Sequence, residues 1–184
     1  MAGDEARPEP AGAPTPVAAH EAAQQTIRTS MWATVPRLLA RHRYLVLGTA
    51  DGEGRPWATP VFYAPDGDHR VLWVSAPDSR HSRNIASRPD VAITIFDSNA
   101  PIGGAEALYL EATAEPVADD AQTAALAVLN SRLPAGHQLG LEDLRPAGSM
   151  RIYQATVAQH HVLIRGGDAR FDNVTDGRLP VTPA

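Results

Sequence analysis

The chain has 184 residues, 43% hydrophobic and 20% charged, with a formal net charge of −5, which fits one globular domain with an ordinary core. The acidic balance argues against a general nucleic-acid or membrane-surface binder, and no apolar run approaches the ~20 residues that span a bilayer. There is no cysteine and all 16 basic residues are arginine, which excludes disulfides, thiolate chemistry, cysteine-ligated metals and lysine Schiff bases.

Residues 1–25 are rich in Ala, Pro and Glu and almost free of large apolar side chains. Such a stretch cannot bury enough surface to offset its ordering entropy, so a mobile tail is expected there. The start also lacks the basic residues and apolar run of a secretory signal, and a cytoplasmic protein is expected. Trp32, Val35, Leu38 and Leu39 have helical spacing, with Thr34 and Pro36 suited to a helix start. Strands are predicted over 44–50, 56–64 and 70–75, separated by the turns Asp51-Gly52-Glu53-Gly54 and Pro65-Asp66-Gly67-Asp68, as in an antiparallel meander. Pro60 inside the second strand implies an edge position, a bulge or a ligand in place of a neighbour. A short helix follows over 79–87, with Asp78 placed to cap it and Pro89 beyond it.

Further strands are predicted over 91–96, 107–115, 150–157 and 161–164. An amphipathic helix over 118–133 places Leu126, Val128 and Leu129 toward the core. Residues 26–175 then form the folded domain and 176–184 a flexible C-terminal tail. Six or so short antiparallel strands with a few helices imply a mainly β (α+β) fold, a closed or nearly closed antiparallel barrel with flanking short helices.

The densest cluster of polar groups is Asp78-Ser79-Arg80-His81-Ser82-Arg83-Asn84, directly after a strand and opening a helix. Free backbone N–H groups and the positive end of the helix dipole gather at such a place. Ser79, Arg80, His81 and Arg83 add donors suited to a phosphate. A capped surface helix with solvated arginines fits the same spacing. The strand Trp57-Ala58-Thr59-Pro60-Val61-Phe62-Tyr63 offers backbone groups and one hydroxyl to a planar heterocycle, or else packs its aromatics in a core or subunit contact. His160 and His161 are adjacent, so on a strand they face opposite ways and cannot share an ion. No metal site is expected. No nucleophile elbow or phosphate-binding loop is present, and no catalytic acid or base stands out.

Taken in order, LVLGTADGEGRPWATPVFYAPDG, LWVSAPDSRHSRNIASRPDVAITIF, ALYLEATAEPV and RIYQATV resemble the pyridoxamine 5′-phosphate oxidase-like flavin-binding split-barrel family, over about residues 32–164. The resemblance implies a six-stranded split barrel and a homodimer with FMN in a groove between subunits. It makes Trp57, Ala58, Thr59, Pro60, Val61 and Phe62 the strand along the flavin. It places Val74 and Ser75 against the ring or ribityl chain, and Ser79, Arg80 and His81 on the phosphate with Arg83 close by.

The departures from the family pattern matter equally. The vitamin B6 oxidases carry a basic residue where this chain has Phe62, a lysine where it has His81, and a C-terminal Arg-x-His element that it lacks. The resemblance therefore implies an FMN-dependent oxidoreductase acting on a small organic substrate, not a true pyridoxine 5′-phosphate oxidase. A deazaflavin-dependent reductase and a non-catalytic flavin carrier remain as alternatives. Trp32, Asn99 and His161 are candidate substrate contacts by position.

Overall fold

The computed structural model describes residues 15–144, 149–171 and 173–183. In chain order these form α1 (Pro16–Met31), α2 (Thr34–Arg41), β1 (Tyr44–Ala50), β2 (Pro56–Phe62), β3 (Ala64–Pro65), β4 (Arg70–Ser75), α3 (Arg80–Ser87), β5 (Asp90–Phe96), β6 (Ala107–Pro116), α4 (Gln122–Asn130), β7 (Arg151–Ile164) and β8 (Gly177–Val181). The strands make one antiparallel sheet of eight in the order β2-β1-β5-β6-β7-β4-β3, with β8 added to β7. The fold is the expected mainly β one, with eight strands instead of six.

Alternation explains most of these strands. Along β1, Leu45, Leu47 and Thr49 are buried while Tyr44, Val46, Gly48 and Ala50 face outward, and β5 repeats the pattern with Val91, Ile93 and Ile95 inside. Period-two burial of this kind fixes which face meets the core. The two ends of the sheet order, β2 and β3, are separated in the chain by Tyr63 alone. The sheet must therefore curl until its margins meet, and the barrel is closed by chain connectivity at that point. Tyr63 is fully buried there. Its hydroxyl donates to the Leu39 carbonyl oxygen at 2.9 Å, its N–H to the Arg43 carbonyl oxygen at 3.2 Å, and the Arg132 guanidinium lies 5.1 Å from its ring centre. Burial pushes its hydroxyl pKa up to about 12.

The barrel core joins Leu45, Leu47, Val61, Trp73, Ile93 and Leu108, with Val35, Leu38 and Leu39 of α2 and Ile85 of α3 packed into it. A second cluster, Leu72, Ile152, Leu126 and Leu129, seats α4 on the other face of β4 and β7. Each such large apolar side chain contributes roughly 1.5–3 kcal/mol by leaving water.

Four expectations are corrected. Residues 16–25, read as mobile tail, continue a helix to Met31 capped by Thr15, whose Oγ1 accepts from Ala18 N. Alanine's high helix propensity supports it, and Ile27 and Met31 pack on the core. Residues 1–14 lie outside the described residues. The C-terminal segment is not a free tail, because β8 pairs with His160–Ile164 of β7 and buries Leu179 and Val181. The two C-terminal strands are one 14-residue strand with a bulge at Ala158, opposite Glu111 and Ala112 of β6. The meander stops at β2, since β4 pairs with β3 and β7 and not with β2. β2 pairs only with β1, so Pro60 does sit on an edge strand, where its missing N–H costs no ladder bond.

Candidate functional site

The turn after β4 leads straight into α3, and Ser79, not Asp78, is the cap. Its Oγ accepts from Ser82 N at 3.3 Å and donates to Ser82 Oγ at 2.8 Å. The backbone N–H groups of Arg80 and His81 make no hydrogen bond among the described residues. The His81 ring is turned inward, its Nε2 lying 2.8 Å from Ser75 Oγ and 3.1 Å from Ser79 Oγ. Burial pushes its pKa below the ordinary histidine value. Burial therefore disfavours the charged form of this ring, unlike the exposed cation expected of the lysine it replaces in the resemblance.

Arg80 and Arg83 part company. The Arg80 guanidinium carbon lies 4.4 Å from the centre of the Trp57 ring, an exposed cation–π contact that leaves its donors free. Arg83 folds back to donate to the Asp78 carbonyl oxygen, away from its neighbours. Asn84 ties the helix to the barrel by donating from Nδ2 to Thr49 Oγ1 at 3.0 Å, and Thr49 Oγ1 lies 3.4 Å from the Trp57 carbonyl oxygen.

Ser75 belongs to two places at once. Besides holding His81, it lines an open pocket of about 650 Å³ in the split between β2 and β4. Pro60, Val61 and Phe62 form one wall and Val74 and Ser75 the floor, while Arg43 and Tyr44 border it at the start of β1. The far wall is Leu129 of α4 and Leu133, Pro134, His137 and Leu139 of the loop after it. Of the predicted cofactor contacts, Pro60, Val61, Phe62, Val74 and Ser75 line this pocket, and Ser79 and His81 connect to it through Ser75. Ala58 faces outward on β2, beside a shallower depression with Trp57. The Thr59 hydroxyl is buried without a partner and is not presented to the pocket.

The candidate substrate residues lie elsewhere. Trp32 stacks on His69 and meets His160 edge-on, with centroids 5.6 and 4.9 Å away. Asn99 sits in an exposed turn held by Asp97, and His161 pairs with Glu111 at 3.1 Å. None of the three lines the pocket. Its far wall went unread in the sequence because nothing local shows a loop after α4 folding back over β2, although His137 next to Pro134 and Gly136 marked a turn with a polar tip.

The pattern described as Pyridoxamine 5′-phosphate oxidase matches residues 31–163. The chain belongs to the pyridoxamine 5′-phosphate oxidase family. No curated protein matches it. Among solved structures it is similar to HutZ, the heme storage protein from Vibrio cholerae, at 19% identity over 70% of this chain and 91% of that one, with a TM-score of 0.59. An FAD-binding protein from Mesorhizobium loti shows 16% identity, 70% and 91% coverage and a TM-score of 0.53. An F420 reductase shows 23% identity, 67% and 93% coverage and a TM-score of 0.51. Likeness at these identities shows a shared fold, and the ligands differ among the three proteins.

The residues present fit a phosphorylated planar cofactor of the kind flavin-binding members of the family hold. Two N–H groups without a partner among the described residues open α3, Arg80 there carries its guanidinium over Trp57, and His81 joins this helix start through Ser75 to a mostly apolar pocket of suitable size. Among the described residues no group of three or more His, Asp or Glu side chains is placed to hold a metal ion. No described helix is long and apolar enough to cross a membrane.

Proposed function

We propose that the protein is an FMN-dependent oxidoreductase of the cytoplasm, working as a homodimer on a small organic substrate. The observation that carries this reading is Ser75, which lines the β2–β4 pocket and also hydrogen-bonds His81 beside Ser79. The expected ring-binding and phosphate-binding halves are thereby continuous. When bound, the flavin supplies the redox chemistry by hydride transfer at N5. The start of α3 and Arg80 hold the phosphate, the strand from Trp57 to Phe62 with Val74 and Ser75 orients the ring, and the apolar walls keep water away.

The dimer reading has its own support. On the outer face of the sheet, Phe62 stands opposite Tyr44, followed by the rows Pro60, Val46 and Thr94 and then Ala58, Gly48 and Ala92, and Phe96 lies two residues beyond Thr94 on the same face of β5. Tyr44 and Phe96 are 62% and 43% exposed, and apolar side chains gathered on one exposed face mark a contact surface. A second copy over this face would also enclose the pocket margin at Tyr44 and Phe62. Phe62 in place of a basic residue speaks against a phosphorylated pyridoxine as substrate.

The first test is the absorbance spectrum of freshly purified protein, followed by titration with FMN and riboflavin. Flavin bands and NAD(P)H-dependent turnover are expected. Arg80→Ala should lower FMN affinity about ten- to a hundredfold and riboflavin affinity far less, the loss of one charge-assisted phosphate contact. A Soret band, a colourless protein that binds deazaflavin instead, or equal losses for both ligands would each overturn the reading.

A further inference from the structure

The far wall of the pocket is tied down by side-chain hydrogen bonds. Asn130 closes the loop after α4 with two hydrogen bonds to one residue, donating from Nδ2 to the Leu139 carbonyl oxygen and accepting at Oδ1 from Leu139 N, each at 2.9 Å. Arg132 anchors its start on the end of α2, donating to the carbonyl oxygens of Leu39 and Ala40 at 3.1 Å and of His42 at 2.6 Å. Gly136, at φ 84°, makes the turn that lets His137 N donate to the Pro134 carbonyl oxygen at 3.0 Å. Leu133, Pro134 and His137 are thus presented to the pocket by a fixed scaffold, facing Arg43 and Tyr44.

The charge on this wall is one-sided. No carboxylate lines the pocket. The side chains of Arg43 and His137 make no hydrogen bond or ion pair among the described residues, whereas Arg37, Arg41, Arg55, Arg70, Arg165 and Arg170 each face a carboxylate. An unpaired guanidinium and an imidazole N–H at the mouth of an apolar pocket match an anion attached to an apolar body. A planar carboxylate suits the guanidinium fork best.

We propose that the α4-side wall is the substrate subsite and takes a small apolar carboxylate. Its hydrocarbon part packs on Leu129, Leu133 and Pro134, its carboxylate rests on Arg43, and His137 serves as a second donor. The name substrate rests on the FMN reading; the binding itself does not.

Calorimetric titration with 1-naphthoate, neutral 1-naphthamide and inorganic phosphate, with and without FMN, tests this. Naphthoate should bind at least about tenfold more tightly than naphthamide, the worth of one charge-assisted contact. Arg43→Gln should abolish that preference and His137→Gln reduce it, with naphthamide and FMN affinities unchanged. The Arg43 side chain is exposed and its structural bond uses only the backbone carbonyl, so the fold should survive, as a melting curve will show. Equal affinities for the two naphthalenes, a preference that persists in Arg43→Gln, phosphate displacing naphthoate at similar concentration, or a parallel loss of FMN would overturn the assignment. If the wild type refuses FMN but keeps the naphthoate preference, the redox reading falls and the subsite stands.

Discussion

His160 donates from Nε2 to the Asp68 carbonyl oxygen at 2.7 Å and packs its ring among Trp32 and His69. Burial pushes its pKa below the ordinary value; the bond to Asp68 opposes this and the nearby His69 reinforces it. His42 and His81 are lowered by burial as well. A histidine whose folded pKa lies below its unfolded value of about 6.5 binds protons more readily when unfolded. Its contribution to stability is complete above that unfolded value and declines as pH falls through it toward the folded pKa. The melting temperature should therefore fall between about pH 7 and pH 5, and His160→Gln should flatten that fall while lowering the plateau; an unchanged slope in thermal melts would rule out His160 as a source. At this scale adjacency was readable, since His160 and His161 do face opposite ways. The lowered pKa of His81 was not, because its burial and its contacts with Ser75 and Ser79 come from two different elements.

β1, with its clean alternation, and β4, a short apolar run bounded by turns, were legible to the residue. The end of α3 was legible too, while its start and its cap each lie one residue later than expected. What escaped depends on distant partners. β8 is a strand only because β7 extends far enough to pair with it, and α1 reads as a tail until Ile27 and Met31 meet the barrel. The loop after α4 is the functional instance, since its shape depends on Asn130, Arg132 and the end of α2. Asn130→Ala removes both bonds to Leu139 and leaves partly buried backbone groups unpaired, which should cost roughly 1–3 kcal/mol. In urea denaturation the midpoint should shift accordingly, and naphthoate binding should weaken more than FMN binding. A variant with full stability would mean the loop is held by Arg132 alone.

For the molecule as a whole, barrel architecture and edge strand could be read from pattern and turns, whereas the exposed aromatic face of Tyr44, Phe62 and Phe96 appears only once register sets β2, β1 and β5 side by side. If a second copy covers that face, sedimentation should give a dimer at micromolar concentration. Tyr44→Arg, which places a charge in the middle of it, should shift the protein toward monomer and weaken FMN with little change in unfolding. A wild-type monomer that binds FMN fully would disconnect the site from assembly.

The closure at Tyr63 carries a kinetic consequence. Because β2 and β4 are joined by connectivity and not by a ladder, the gap between them holds no backbone hydrogen bonds for an arriving molecule to break. Occupancy of the gap therefore needs no prior unzipping of the sheet. Capture should follow a single concentration-proportional phase set by collision and orientation, with no slow isomerisation ahead of it.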